Sequence, residues 1–262
     1  MDSLDSLDFS IYKKCKITVL RLHYTEAKGP TWARFLIQQE YSGEKYNLQI
    51  DSHTRFEENW DIKLIEQLNM LPEKSCLTQY LPEYNIDKEI QNKSRLRNSL
   101  VVKKISALDG FTRINSEYIT IKDYKTPFKS NAYSGCFAFS NGNINYDAPI
   151  DPYTPNLFFG EEMDITLRLY TRGWNFYSPS IPIAYTNFSR DYRNTFWKGN
   201  HYKKELRLLS RLRVHYSLCT LPGYIREIIE TKCPELLIDL DNFELGTDRT
   251  VYDYSKLIGF YF

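Results

Sequence analysis

The first eighty residues alternate between two hydrophobic periodicities, and this constrains the fold more than any other feature of the chain. Residues 16–22 (Lys-Ile-Thr-Val-Leu-Arg-Leu) are rich in β-formers and predict a strand. Gly29-Pro30 is punctuation, and Pro30 suits the first turn of a helix running to about Tyr41, with Trp32, Phe35, Leu36 and Gln39 at helical spacing. Residues 46–51 alternate apolar and polar, predicting a half-buried strand that ends in a carboxylate. Residues 58–71 predict a second helix with Trp60, Leu64, Ile65, Leu68 and Leu71 as its apolar stripe and Pro72 as its stop. Residues 75–80 predict a third strand. Strand, helix, strand, helix, strand is the βαβ signature of an α/β domain with a largely parallel portion.

The rest of the chain is less regular. Residues 88–104 are charged and read as loop, with short strands expected around 100–106 and 117–122. Residues 132–140 predict a buried strand kinked at Gly135, and 141–159 a long loop rich in Asn, Pro, Tyr and Asp. A helix opens at Gly160-Glu161-Glu162 and ends at Gly173. Another spans about 202–216, with Tyr202, Leu206, Leu209, Leu212 and Tyr216 on one face, and a last one about 249–257. With no repeat and no convincing linker, residues 1–262 are read as one domain. About 11–80 form one half and about 130–262 the other.

Composition narrows the function. Lys+Arg 34 against Asp+Glu 33 leaves a net charge of +1, which excludes the basic footprint of a general nucleic-acid binder. The five cysteines, Cys15, Cys76, Cys136, Cys219 and Cys233, are odd in number and none pair at CxxC spacing. A disulfide framework and a structural zinc site are therefore not expected. No run reaches the ~18 apolar residues of a membrane span, and the acidic N-terminus is not a signal peptide. A reducing, cytoplasmic setting is the expectation. Walker A, GxGxxG and GxSxG motifs are absent.

Three features carry chemistry. Asp51-Ser52-His53 falls at the C-terminal end of a strand, where open α/β sheets place ligands. If extended backbone persists through residue 53, Asp51 and His53 point the same way. They can then ligate one Mn²⁺ or Mg²⁺ ion of the kind that bridges diphosphate oxygens. The same triplet also suits an Asp capping a turn beside a surface His. Glu161-Glu162 opens a helix, where carboxylates are favoured by the dipole. One of them can alternatively face a site and orient a hydroxyl or stabilise developing positive charge. Arg34 precedes the Asp51 strand and can reach a phosphate or sugar hydroxyl. Lys198, Lys203, Lys204, Arg207, Arg211 and Arg213 read mostly as a solvated face.

The chain also resembles a known family. The run Glu26 to Arg34, then Tyr46 to Phe56 with Asp51-Ser52-His53, then Trp60-Asp61, is similar to the Skp1-type hydroxyproline N-acetylglucosaminyltransferases. So are Phe137 to Ser140, Asp151-Pro152, Leu157 to Glu162, Arg190 to Arg193 with Thr195-Phe196-Trp197, and the ending Leu245-Gly246-Thr247 with Arg249-Thr250 and Tyr254. The matches keep family order over nearly the whole chain. A more distant similarity is to polypeptide GalNAc-transferases. The resemblance implies a GT-A-like mixed sheet flanked by helices, N-terminally truncated relative to the family's first strand and helix. It implies a UDP-GlcNAc donor, a divalent cation (Mn²⁺ or Mg²⁺) and retaining transfer to a hydroxyl of a Skp1-like protein acceptor. It assigns Asp51 and His53 to the metal, Arg34, Asp51 and Ser52 to the donor, and Glu161 or Glu162 to the catalytic acid. On this reading 11–80 is the donor and metal half and 130–262 the acceptor and catalytic half. No nucleic acid or membrane partner is expected. Thr186 stands where relatives place a His, with water or His201 as the substitute ligand. A catalytically degenerate module that binds a glycan or protein is the alternative. A glycoside hydrolase fits poorly, because adjacent acids do not face each other across a sugar.

Overall fold

The computed structural model describes residues 15–83, 96–105, 110–120, 125–187, 189 and 203–261. After a single 3-10 turn at Tyr24–Glu26 comes its first α-helix, α1 (Pro30–Gln38), with Pro30 in the first turn as the sequence predicts. Then come β1 (Tyr46–Ile50), β2 (Thr54–Phe56), α2 (Trp60–Asn69) and β3 (Ser75–Thr78). A hairpin of β4 (Leu96–Ile105) and β5 (Thr112–Thr120) precedes β6 (Phe128–Ser130), β7 (Phe137–Asn141) and the short α3 (Ile144–Asp147). The remainder is α4 (Glu161–Thr171), β8 (Asn175–Ser178), β9 (Ala184–Thr186), α5 (Lys204–Ser217), α6 (Gly223–Lys232) and α7 (Val251–Ile258).

The central sheet is mixed and runs β1-β7-β3-β8-β6. β3 and β8 are parallel, β7 is antiparallel to both β1 and β3, and β6 is antiparallel to β8. Strands β1, β3 and β8 therefore share one direction. The expected α/β class with a mixed, helix-flanked sheet is what the chain adopts. The βαβ reading needs one correction: β1 and β3 run the same way but do not touch, because β7 inserts between them. Only distant pairing decides that, and β7 lies some sixty residues further on.

Both faces of the sheet are buried, and the period-2 alternation of strand side chains sorts residues between them. Leu77, Phe137, Phe139 and Tyr177 pack with Leu64 and Leu68 of α2. Their neighbours Cys76, Ala138 and Phe176 pack with Leu167 and Leu169 of α4, with Val214 of α5 and with Tyr254 of α7. The α2 stripe lies where the sequence placed it, with Ile65, Leu71 and Trp60 packed at its margin.

Several expectations are corrected. Residues 16–22 form no strand; Ile17, Val19, Leu20 and Leu22 are exposed. β-propensity alone does not order a strand that has no sheet neighbour. The strand expected over 132–140 starts only at Phe137, because the chain bends at 131–132 and turns at 135–136. Residues 96–105, expected as loop and short strand, pair with 112–120 along one long hairpin. On α5 the buried face is Ser210, Arg213, Val214 and Ser217, not the leucine stripe expected over 202–216. Arg213, expected on a solvated face, is 1 % exposed. Its Nε donates to Asp151 Oδ2 at 2.6 Å, and its Nη1 donates to the carbonyls of Leu236 and Ile238. A buried cation held this way looks like surface charge in one dimension. Residues 1–14, 84–95, 190–202 and the segment Arg190 to Trp197, with Lys198 and His201, lie outside the described residues. No helix among the described residues is long and apolar enough to cross a membrane.

Leu64 is fully buried between α2 and the sheet. Leu64→Ala is expected to lower unfolding free energy by about 2–5 kcal/mol, read by urea denaturation. A change below about 0.5 kcal/mol would place that face of α2 outside the core.

Candidate active site

Because β1 and β3 point the same way, their carboxyl ends open on one edge of the sheet, with the start of the antiparallel β7 between them. β1 delivers Asp51 there, β3 delivers Tyr80, and the turn ahead of β7 delivers Gly135 and Cys136. The first turn of α4 brings Glu161 and Glu162, and α1 brings Arg34. α1 is fixed against the segment before α4. Gly29 has φ +98°, and a Cβ there would lie 3.2 Å from the Leu157 carbonyl oxygen. Asn156 N–H donates to the Lys28 carbonyl at 2.6 Å.

Together these elements line a cleft of about 710 Å³. Arg34, Asp51, Ser52, His53, Glu161 and Glu162 all border it, so these six residues named from the sequence converge on one cavity. The opposing wall is Phe158 and Phe159 with Thr112, Arg113 and Ile114 of β5. The two phenylalanines meet edge to face at 4.9 Å, and the Arg113 guanidinium lies 3.6 Å over the Phe159 ring.

Arg34 organises the floor. Its Nη1 donates to Glu161 Oε1, and its Nη2 donates to the Gly135 carbonyl at 2.9 Å and pairs with Asp51 Oδ1 at 3.4 Å. Burial works against the guanidinium charge, but Glu161, Tyr133 and Asp51 outweigh it and raise the Arg34 pKa. The Gly135 carbonyl also accepts from Gln49 Nε2 at 2.8 Å, while the Gly135 N–H donates to Glu162 Oε1 at 2.9 Å. One peptide turn therefore links α1, β1 and α4.

The condition set for Asp51 and His53 is not met as stated. The strand stops at Ile50, and residues 52–53 turn. The two side chains still converge, His53 Nε2 lying 3.8 Å from Asp51 Oδ2. The turn is held by Thr54 Oγ1, which donates to the Asp51 carbonyl at 2.7 Å, and by Asn187 N–H, which donates to the His53 carbonyl. Two donors at ~2.1 Å from one Mg²⁺-type ion can be up to ~4.2 Å apart, so the pair can share an ion. Among the described residues no group of three or more His, Cys, Asp or Glu side chains is set to hold a metal. Ser52 is exposed at the turn.

The two glutamates differ. Glu161 is buried against Arg34, whereas Glu162 is half-buried and accepts from Gly135 N–H and from the Tyr80 hydroxyl at 2.8 Å. Burial raises the Glu162 pKa, and these two hydrogen bonds pull against the rise. Cys136 also borders the cleft, but burial pushes its thiol up to about 12, so it is no thiolate nucleophile at neutral pH. Tyr80, Arg113 and Cys136 stood in no recognisable motif. Gly135 was visible only as a glycine inside a strand-like run, which commonly marks a close backbone approach.

With this geometry in view, comparison with known families is informative. A family model described as "Glycosyltransferase (GlcNAc)" matches residues 6–262. The chain belongs to that glycosyltransferase family. No curated protein matches this glycosyltransferase. Among solved structures, it is similar to one described as the crystal structure of GalNAc-T7 with UDP, GalNAc and Mn²⁺. The identity is 13%, the TM-score 0.48, and the match covers 87% of this chain and 44% of that one. The glycosyltransferase thus spans less than half the length of that solved structure.

A Cβ at Gly135 would lie 2.6 Å from Arg34 Nη1 and 2.9 Å from its Cζ. Gly135→Ala is expected to lower stability by about 1–3 kcal/mol through overpacking. Gly223→Ala, with nothing within 4 Å of the added methyl, is expected to be neutral or stabilising by up to ~1 kcal/mol. Urea titrations that cost the two variants equally would remove the close Arg34–Gly135 contact from the account.

Proposed function

We propose that this glycosyltransferase is a GT-A-type, cation-assisted enzyme that moves GlcNAc from UDP-GlcNAc to a hydroxyl of a protein acceptor. The observation that carries the reading is the convergence of Arg34, Asp51, Ser52, His53, Glu161 and Glu162 on one cleft at the carboxyl ends of β1 and β3. Its volume falls in the ~300–1,000 Å³ range of small-molecule sites. The resemblance in sequence supports the donor, retention of configuration and a hydroxyproline acceptor in a Skp1-like protein. The cytoplasmic location belongs to the same proposal.

In this reading Asp51 and His53 hold a Mn²⁺ or Mg²⁺ ion. Such an ion, when bound, offsets the charge that gathers on a departing diphosphate. The chain's own groups do the rest. Ser52, exposed on the turn, offers a hydroxyl to the donor's phosphates. Arg34 keeps Asp51 in place from one side and Glu161 from the other. One of the two acids at the start of α4 faces developing positive charge at the sugar carbon. The aromatic wall of Phe158 and Phe159 covers the opposite side and excludes water. Holding an acceptor oxygen close to the sugar carbon supplies much of the acceleration.

A second reading, a binding module without transfer, is favoured by one observation. Thr186 pairs with Thr54 across β2 and β9, and its hydroxyl lies 3.5 Å from the His53 carbonyl. The chain thus carries a buried hydroxyl where the resemblance places a third imidazole ligand.

Asp51→Ala is expected to lower transfer from UDP-GlcNAc by more than about 100-fold and to abolish the Mn²⁺-dependence of UDP binding in calorimetry. Its thermal unfolding should stay close to wild type, because Asp51 keeps a third of its side chain exposed. Retention of full transfer by the alanine variant would overturn the assignment. UDP and Mn²⁺ binding without transfer in the wild type would favour the second reading.

A further inference from the structure

Two adjacent acids open α4, and the geometry points to a division of labour between them set by a residue outside every motif. Glu161 is matched by a full positive charge on Arg34 and is only 3 % exposed. The direct partners of Glu162 are both neutral: Gly135 N–H on Oε1 at 2.9 Å and the Tyr80 hydroxyl on Oε2 at 2.8 Å. Glu162 is thus aimed by two donors without being neutralised by either. Tyr80 leaves the end of β3 and lines the same cleft. Its oxygen is also 3.4 Å from the Ile114 carbonyl on β5. A hydroxyl has one proton, and the shorter contact gives it to Glu162. We propose that Tyr80 is a positioning residue that holds Glu162 so that its charge, rather than that of Glu161, meets the reacting groups in the cleft.

This inference rests on the reading of the cleft as the transfer site. The charged and titratable groups around the Tyr80–Glu162 pair are Glu161 on α4, Arg34 on α1, Tyr133 and Cys136 ahead of β7, and Arg113 on β5, whose charge acts on Tyr80. Burial of Tyr80, reinforced by the neighbouring carboxylate, raises its own pKa, so it stays protonated and a donor across the neutral range. Its bond favours the charged form of Glu162 and therefore lowers the Glu162 pKa. Removing the hydroxyl moves that pKa up.

The test is Tyr80→Phe, which deletes one oxygen and keeps the ring. Loss of a hydrogen bond to a charged group is expected to show as a shift of about one pH unit. The acid limb of the transfer pH profile should move up by about that amount, with KM for the donor little changed. In a Glu162→Gln background, Tyr80→Phe should add no further loss. A uniform fall at every pH, or an equal fall in the Glu162→Gln background, would mean a merely structural role and overturn the proposal. The carboxyl resonance of Glu162 in protein labelled with ¹³C-glutamate provides a readout independent of turnover. Its titration moves up in Tyr80→Phe if the proposal holds and coincides with wild type if it does not. If that resonance moves while the wild type shows no transfer, the cleft reading fails and the Tyr80–Glu162 contact stands.

Discussion

The site depends on one half-buried guanidinium. Arg34 pairs with Glu161, lies 3.4 Å from Asp51 and donates to the Gly135 carbonyl. These three partners come from α4, from the end of β1 and from the turn before β7, all remote from Arg34 in sequence. Without a cation there, two carboxylates would approach each other on the same cleft wall with nothing between them. Taking an ion pair out of water is costly, and such a pair persists only when its remaining hydrogen-bond capacity is met. The backbone of Gly135 helps to meet it, which is why a side chain at that position has no room.

The sheet's strand directions place this constellation. β1 and β3 point to the same edge although β7 separates them, so their ends deliver Asp51 and Tyr80 to one cleft. The antiparallel β7 begins at that edge and contributes the Gly135–Cys136 turn. The left-handed Gly160 (φ +108°) turns the chain into α4, so that the first helical turn meets Arg34. Function, on this view, is written in strand ends and helix starts, while the strand interiors supply only packing.

Much of this was legible in the sequence, for physical reasons that differ by element. α1, α2 and α4 announce themselves by Pro30, by the Leu64–Leu68 spacing and by the Gly160–Gly173 bracket, all local signals. Asp51, His53, Arg34 and the two glutamates were legible as types at telling positions and through family resemblance. Sequence could not show that Glu161 would be neutralised and Glu162 merely aimed, since that depends on contacts with Arg34, Tyr80 and Gly135, all far outside the helix that carries the two acids. The strand expected at 16–22 failed for the converse reason: its residues favour extended backbone, but only a partner makes a strand. Arg213 reads as surface charge because nothing local reveals that Asp151 will be buried beside it.

The central claim is that Arg34 and Glu161 act as one unit at the floor of the cleft, and a double-mutant cycle on stability tests it most directly. Arg34→Met and Glu161→Gln would be measured singly and together by chemical denaturation. The account predicts strong non-additivity: each single variant strands a partner and costs about 3 kcal/mol, and the double variant costs far less than their sum. Additivity within about 0.5 kcal/mol would show that the two side chains are energetically independent, and the floor of the cleft would then need another explanation.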